Sequence, residues 1–159
     1  MCLYSHFAGK EALFLAVYEE FAAQRVGEVE HGGDDAPTPP LTLRAGADRW
    51  MARADAEPWA LLLHMEFAAH ALHDAKLRAD FAQRIGAVRA AVARLIEREG
   101  TPSGRELPMD ARSLAAVIRA LGIGLAAERL VDPEAIPPTL FGDFVELLFD
   151  LIFADERDP

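Results

Sequence analysis

Apolar residues recur every three to four positions along almost the whole chain. Nowhere do they alternate with polar ones over the run that a half-buried strand needs. From Lys10 to Glu30 the repeat is Leu13, Val17 and Phe21, with Phe14 and Tyr18 beside them, and His31-Gly32-Gly33-Asp34-Asp35 closes that helix. Thr38-Pro39 offers an N-cap with proline at the first helical position, and a second helix carrying Leu43, Ala47, Trp50 and Ala54 with Met51 alongside runs to about Glu57. Pro58 opens a third helix that ends near His73. Asp74 caps a fourth, with Leu77, Phe81, Ile85, Val88, Val92 and Leu95 at helical steps and its end before Gly100. Past the Pro- and Gly-rich stretch 101–109, Asp110 caps a fifth helix to about Val131, and the last spans Phe141 to Phe153. The pattern predicts an all-α domain of five or six helices.

Two of these helices carry more than their own burial requires. In the third, Trp59, Leu63, Glu66, His70 and His73 share one stripe at 100° per residue, and Leu61, Leu62, Met65, Ala68, Ala69 and Leu72 cover the other side. An indole, a carboxylate and imidazoles among apolar neighbours are what a mostly apolar small-molecule pocket uses to orient its ligand. The expected pocket is therefore Trp59, Leu63, Glu66, Phe67 and His70, joined by Trp50 and Met51 from the second helix and Phe81, Ile85 and Val88 from the fourth. The alternative leaves His70 and His73 on a solvated edge, with only Trp59 and Phe67 meeting the ligand. In the last helix the polar residues Asp143, Glu146 and Asp150 fall on one stripe, leaving about two-thirds of the circumference apolar. A terminal helix buries that much only with two partners, its own domain and a second copy of the chain. The expected interface is Ile118, Gly122, Leu125 and Ala126 with Phe141, Phe144, Val145, Leu148 and Ile152, where the small residues allow helices to approach closely.

Bulk properties narrow the function. A chain of 159 residues supports one domain with a core of its own. The single Cys2 excludes an internal disulfide and suits a reducing compartment, and no signal sequence or run of ~18 apolar residues points away from the cytoplasm or toward a membrane. A net charge of −10 argues against a general nucleic-acid surface, and up to Asp35 only Lys10 and Arg25 stand against seven acidic residues. No Gly-rich phosphate loop, Gly-x-Ser-x-Gly turn or Cys-His arrangement is present, so neither an enzyme nor a cofactor is expected. Glu66, His70 and His73 could touch one metal ion, but a single helix sets its ligands too far apart in a row, and no metal site is expected.

The stretch Leu3 to Leu13, Leu-Tyr-Ser-His-Phe-Ala-Gly-Lys-Glu-Ala-Leu, joins the end of one short helix to the start of a long one. Lys10 in a first helical turn is disfavoured by the helix dipole, and together with free amides, Tyr4 and His6 it makes a site for phosphate, the alternative being that Tyr4 and Phe7 only pack the junction and Lys10 is solvated. This order and spacing resemble the TetR family of transcriptional repressors, whose recognition helix ends in Tyr-x-His-Phe followed three residues later by Lys-Glu-x-Leu. The resemblance implies that Tyr4, His6 and Lys10 touch the DNA backbone, and that residues 1–8 are a remnant of the recognition helix. It implies that 9–159 form a ligand-binding and dimerisation bundle pairing through its last two helices. It also places the chain's start near the end of the helix-turn-helix, so operator DNA is expected as a partner only where that unit precedes it. The expected function is effector sensing, with a small apolar or amphipathic ligand among the second to fifth helices. A helical ligand-binding or interaction module with no DNA role is the alternative.

Overall fold

The computed structural model describes residues 10–31, 42–100 and 106–153. Among them are six helices and no strand: α1 (Lys10–His31), α2 (Leu43–Ala56), α3 (Pro58–Ala71), α4 (Ala75–Gly100), α5 (Ala111–Val131) and α6 (Leu140–Phe153). Tyr4 and His6 lie outside the described residues, as does the expected cap at Thr38-Pro39. Lys10 is the first residue of α1.

The helix starts follow local chemistry. Asp110 has extended backbone, and its carboxylate accepts from the amides of Arg112 and Ser113, supplying partners that a first helical turn otherwise lacks. Asp74 accepts from Leu77 N at 2.9 Å in the same way. Helix α2 begins at Leu43, where two side chains converge. Thr42 Oγ1 accepts from Ala45 N at 3.1 Å, and Glu99, at the far end of α4, accepts from Leu43 N at 2.6 Å.

Helix α4 runs through the middle, packed on α1 along one side and on α5 along another, while α2 lies against α6. The apolar residues gather into two clusters. The larger joins α2, α5, α6 and the second half of α4 around Met51, Ile96 and Val145, which are the largest fully buried side chains. The smaller joins α1, α3 and the first half of α4 through Tyr18, Ala22, Phe67, Ala71, Leu77 and Phe81. Within it the rings of Tyr18 and Phe81, and of Phe67 and Phe81, stand with centroids 4.9 Å apart, a favourable aromatic spacing.

Charged side chains tie the helices at the surface. Arg44 of α2 pairs with Asp143 and Glu146 of α6. Arg129 of α5 meets Asp55 of α2 at 2.8 Å and also donates to the carbonyls of Pro133 and Ile136, which holds the α5–α6 turn in place. None of the described helices is long and apolar enough to cross a membrane.

Candidate functional site

Between the two clusters lies a cavity of about 140 Å³. It is roomy next to the 10–15 Å³ or so that a single water occupies. Each helix contributes to its wall. Tyr18 and Ala22 come from α1, and Leu43, Gly46, Ala47 and Trp50 from α2. Helix α3 gives Ala60, Leu61 and His64, and α4 gives Val88, Val92 and Leu95. The remaining wall is Ile118, Arg119, Gly122 and Ile123 of α5 with Phe141 of α6. The lining is therefore almost wholly apolar, and its polar groups are concentrated at Tyr18, His64 and Arg119, on three different helices.

Those three groups form one chain of contacts. Tyr18 Oη lies 2.8 Å from His64 Nδ1, and Arg119 Nη2 lies 3.4 Å from His64 Nε2. A guanidinium can only donate, so Nε2 accepts and the proton of the neutral ring sits on Nδ1, where it is donated to the Tyr18 hydroxyl. The ring is held neutral: burial, and after it the charge of Arg119, lowers the His64 pKa from 6.5 to about 4. Burial also lowers the pKa of Arg119, opposed by Tyr18 and reinforced by Arg89. The guanidinium nonetheless keeps its charge at any ordinary pH.

Close packing shapes the far end. Trp50 Nε1 donates to the carbonyl of Gly122 at 2.8 Å, so the indole is both satisfied and fixed in the wall. A Cβ on Gly122 would come within 2.7 Å of the Phe141 ring and 3.4 Å of the Trp50 ring. Gly122 thus lets two aromatic side chains close on the α5 backbone.

Trp50 and Val88, expected around a pocket, are in this wall. Met51 lies fully buried in the larger cluster. Phe67 and Phe81 stand behind Tyr18 and His64, and Ile85 is half-buried against the same cluster. The stripe on α3 corrects an expectation. Trp59 is 53% exposed, Glu66, His70 and His73 are also exposed, and Leu63 is half-buried. The inward face of α3 is Ala60, Leu61, His64, Phe67 and Ala71, turned away from the predicted stripe, and Leu62, Met65 and Leu72 of the predicted core face are exposed as well. A helix apolar nearly all round has no polar side to set its rotation. The pattern does not single out His64 for that reason, although Ala60, His64, Phe67 and Ala71 are themselves at helical spacing with small residues at either end.

The residues expected between two copies also divide. Ile118, Gly122, Ala126, Phe141 and Val145 are buried inside the single chain, where α5 and α6 pack on α2 and α4. Leu125, Leu148 and Ile152 are half-buried, and Phe144 is 42% exposed. Phe144 lies in an exposed apolar stripe with Leu140, Leu147 and Leu151 along α6. Among the described residues no group of three His, Cys, Asp or Glu side chains is gathered as metal ligands.

A family model for the C-terminal region of BetI-type transcriptional repressors matches residues 41–151. No curated protein and no solved structure matches the chain.

Proposed function

Since the chain belongs to the TetR family of transcription regulators, through a C-terminal regulatory domain of the BetI type, we propose that the cavity between its two apolar clusters is the effector site. A small ligand there moves α1. The observation that carries this reading is the position of Tyr18 and Ala22 in the cavity wall. Helix α1 is held chiefly along α4, with Glu19 to Arg84 at 3.2 Å and Gln24 to Arg53 at 3.2 Å as polar ties at its surface. Its inner side meets the cavity through Tyr18, so a ligand that displaces Tyr18 from His64 pushes on α1 directly. By the resemblance of its opening residues, α1 is the helix that follows the DNA-reading unit. Two such units in a dimer must sit about one turn of DNA apart, ~34–36 Å, so a small rotation of α1 unseats both.

Dimerisation belongs to the same proposal. The stripe Leu140, Phe144, Leu147 and Leu151 is exposed on the single chain, and four large apolar side chains in a row mark a surface that another protein surface covers.

The test is a thermal-shift screen of the chain against a metabolite library. A ligand at a hundred times its dissociation constant adds about 2.7 kcal/mol. Hits are then examined in a Trp59→Phe background, where the remaining indole, Trp50, lies in the cavity wall. A true effector changes Trp50 emission and loses its effect when Ala60→Leu fills the cavity. Hits that stabilise the protein yet leave Trp50 unchanged and ignore Ala60→Leu would place the site elsewhere.

A further inference from the structure

The cavity has one charged side chain in its described lining, Arg119, and no carboxylate among the described residues answers it. By contrast, Arg44 meets Asp143 and Glu146, Arg84 meets Glu19, and Arg129 meets Asp55. The partners of Arg119 are neutral, the imidazole of His64 and the hydroxyl of Tyr18, and the further charge that acts on it is the cation Arg89.

Resting on the reading of this cavity as the effector site, we propose that its ligand is a small organic monoanion, a carboxylate on a compact and preferably aromatic hydrocarbon body, with Arg119 as counter-ion. A half-buried guanidinium has given up water without gaining an opposite charge, a cost that a ligand carboxylate offsets. Its planar fork of N–H groups matches the two oxygens of a carboxylate. One cation balances one negative charge, whereas a dianionic phosphate would leave charge unmatched against apolar walls. Trp50, Tyr18 and Phe141 supply aromatic surface for the body of the ligand. Rings alone would also suit an alkylammonium ion through cation–π attraction, but Arg119 repels it. A cavity of about 140 Å³ is close to the ~150 Å³ known to hold benzene.

Calorimetric titration of the 159-residue chain with three probes of similar size tests this: benzoate, neutral benzyl alcohol and cationic benzylammonium, all at pH 7.5. Benzoate is expected to bind roughly ten- to a hundredfold more tightly than the alcohol, the gain of a charge-assisted hydrogen bond. The ammonium is expected not to bind. Arg119→Gln keeps two donors without the charge, and Arg119→Met removes both. Each should bring benzoate down to the level of the alcohol, and Arg119→Lys should restore part of the preference, with circular dichroism reporting the fold of every variant. Benzoate no better than the alcohol, or the ammonium better than both, overturns the charge assignment while leaving the cavity as the site. Failure of all three probes, with Trp50 emission unmoved by any hit of the library screen, overturns the reading of the cavity together with this proposal.

Discussion

His64 has one ring nitrogen toward Tyr18 and the other toward Arg119, and it pays for that position in proton affinity, its pKa lying near 4 in place of 6.5. Above pH 6.5 the ring is neutral in both the folded and unfolded chain. As pH falls below 6.5 the unfolded ring takes up a proton that the folded ring resists, so stability present above that pH is lost between 6.5 and about 4. After discounting for the part of the ring that solvent reaches, the loss should be roughly 1–2 kcal/mol. Urea unfolding of the wild type and of His64→Gln across that range checks it, and profiles that run parallel would show that His64 contributes nothing to acid sensitivity. Gly122 is the second position where one residue decides the local geometry. Gly122→Ala forces the Phe141 ring aside and should cost about 1–3 kcal/mol, as overpacking does. Gly86→Ala in α4 meets open space and should stabilise by about 0.5–1 kcal/mol, since glycine is the poorer helix former. Equal effects of the two substitutions in thermal unfolding would contradict this account of Gly122.

The start of α2 depends on a residue far away in sequence. Glu99 accepts from Leu43 N, and its pKa is raised by burial, with the Leu43 amide and then Arg98 opposing the rise. Glu99→Ala should cost on the order of 1 kcal/mol, as the loss of a helix cap does. It should also raise hydrogen exchange at the first amides of α2. Unchanged exchange there would mean that Thr42 alone holds the helix start. At the other side of α2, Asp48 is pressed against Gly142, where a Cβ would overlap its carboxylate. The sequence marks Asp74 and Asp110 as caps because their partners lie two or three residues on. Glu99 is 56 residues from Leu43, and no local pattern announces it.

At the scale of the whole molecule, the stripe on α6 is an apolar face that the single chain leaves uncovered, as it does Trp59, Leu62, Met65 and Leu72 around α3. A charge placed there, in Leu147→Glu or Phe144→Glu, should separate a homodimer into monomers without loss of helix, because neither side chain belongs to the buried core. The interface should be of obligate-dimer size, ~2,000 Å² in total. Light scattering and circular dichroism together decide it, and a wild-type chain that runs as a monomer at micromolar concentration would remove the dimer from the proposal. Leu148→Glu is a useful contrast, since Leu148 packs on the larger cluster and the substitution should destabilise the fold as well.

The sequence by itself determined the helices: a spacing of three to four between apolar residues, Asp74 and Asp110 as caps, and prolines at the breaks. These are interactions within a few residues, so the chain carries them wherever it is placed. It also marked the family, through the run from Leu3 to Leu13. Which way α3 faces was decided only in the folded protein. Its composition offers apolar residues on every side, and the choice of Ala60, His64, Phe67 and Ala71 as the inner face was made by Tyr18 and Phe81 from two other helices. The same holds for the cavity. Tyr18, His64 and Arg119 are separated by 46 and 55 residues, and only the packing of α1, α3 and α5 brings a hydroxyl, a neutral imidazole and an unanswered guanidinium to one apolar space.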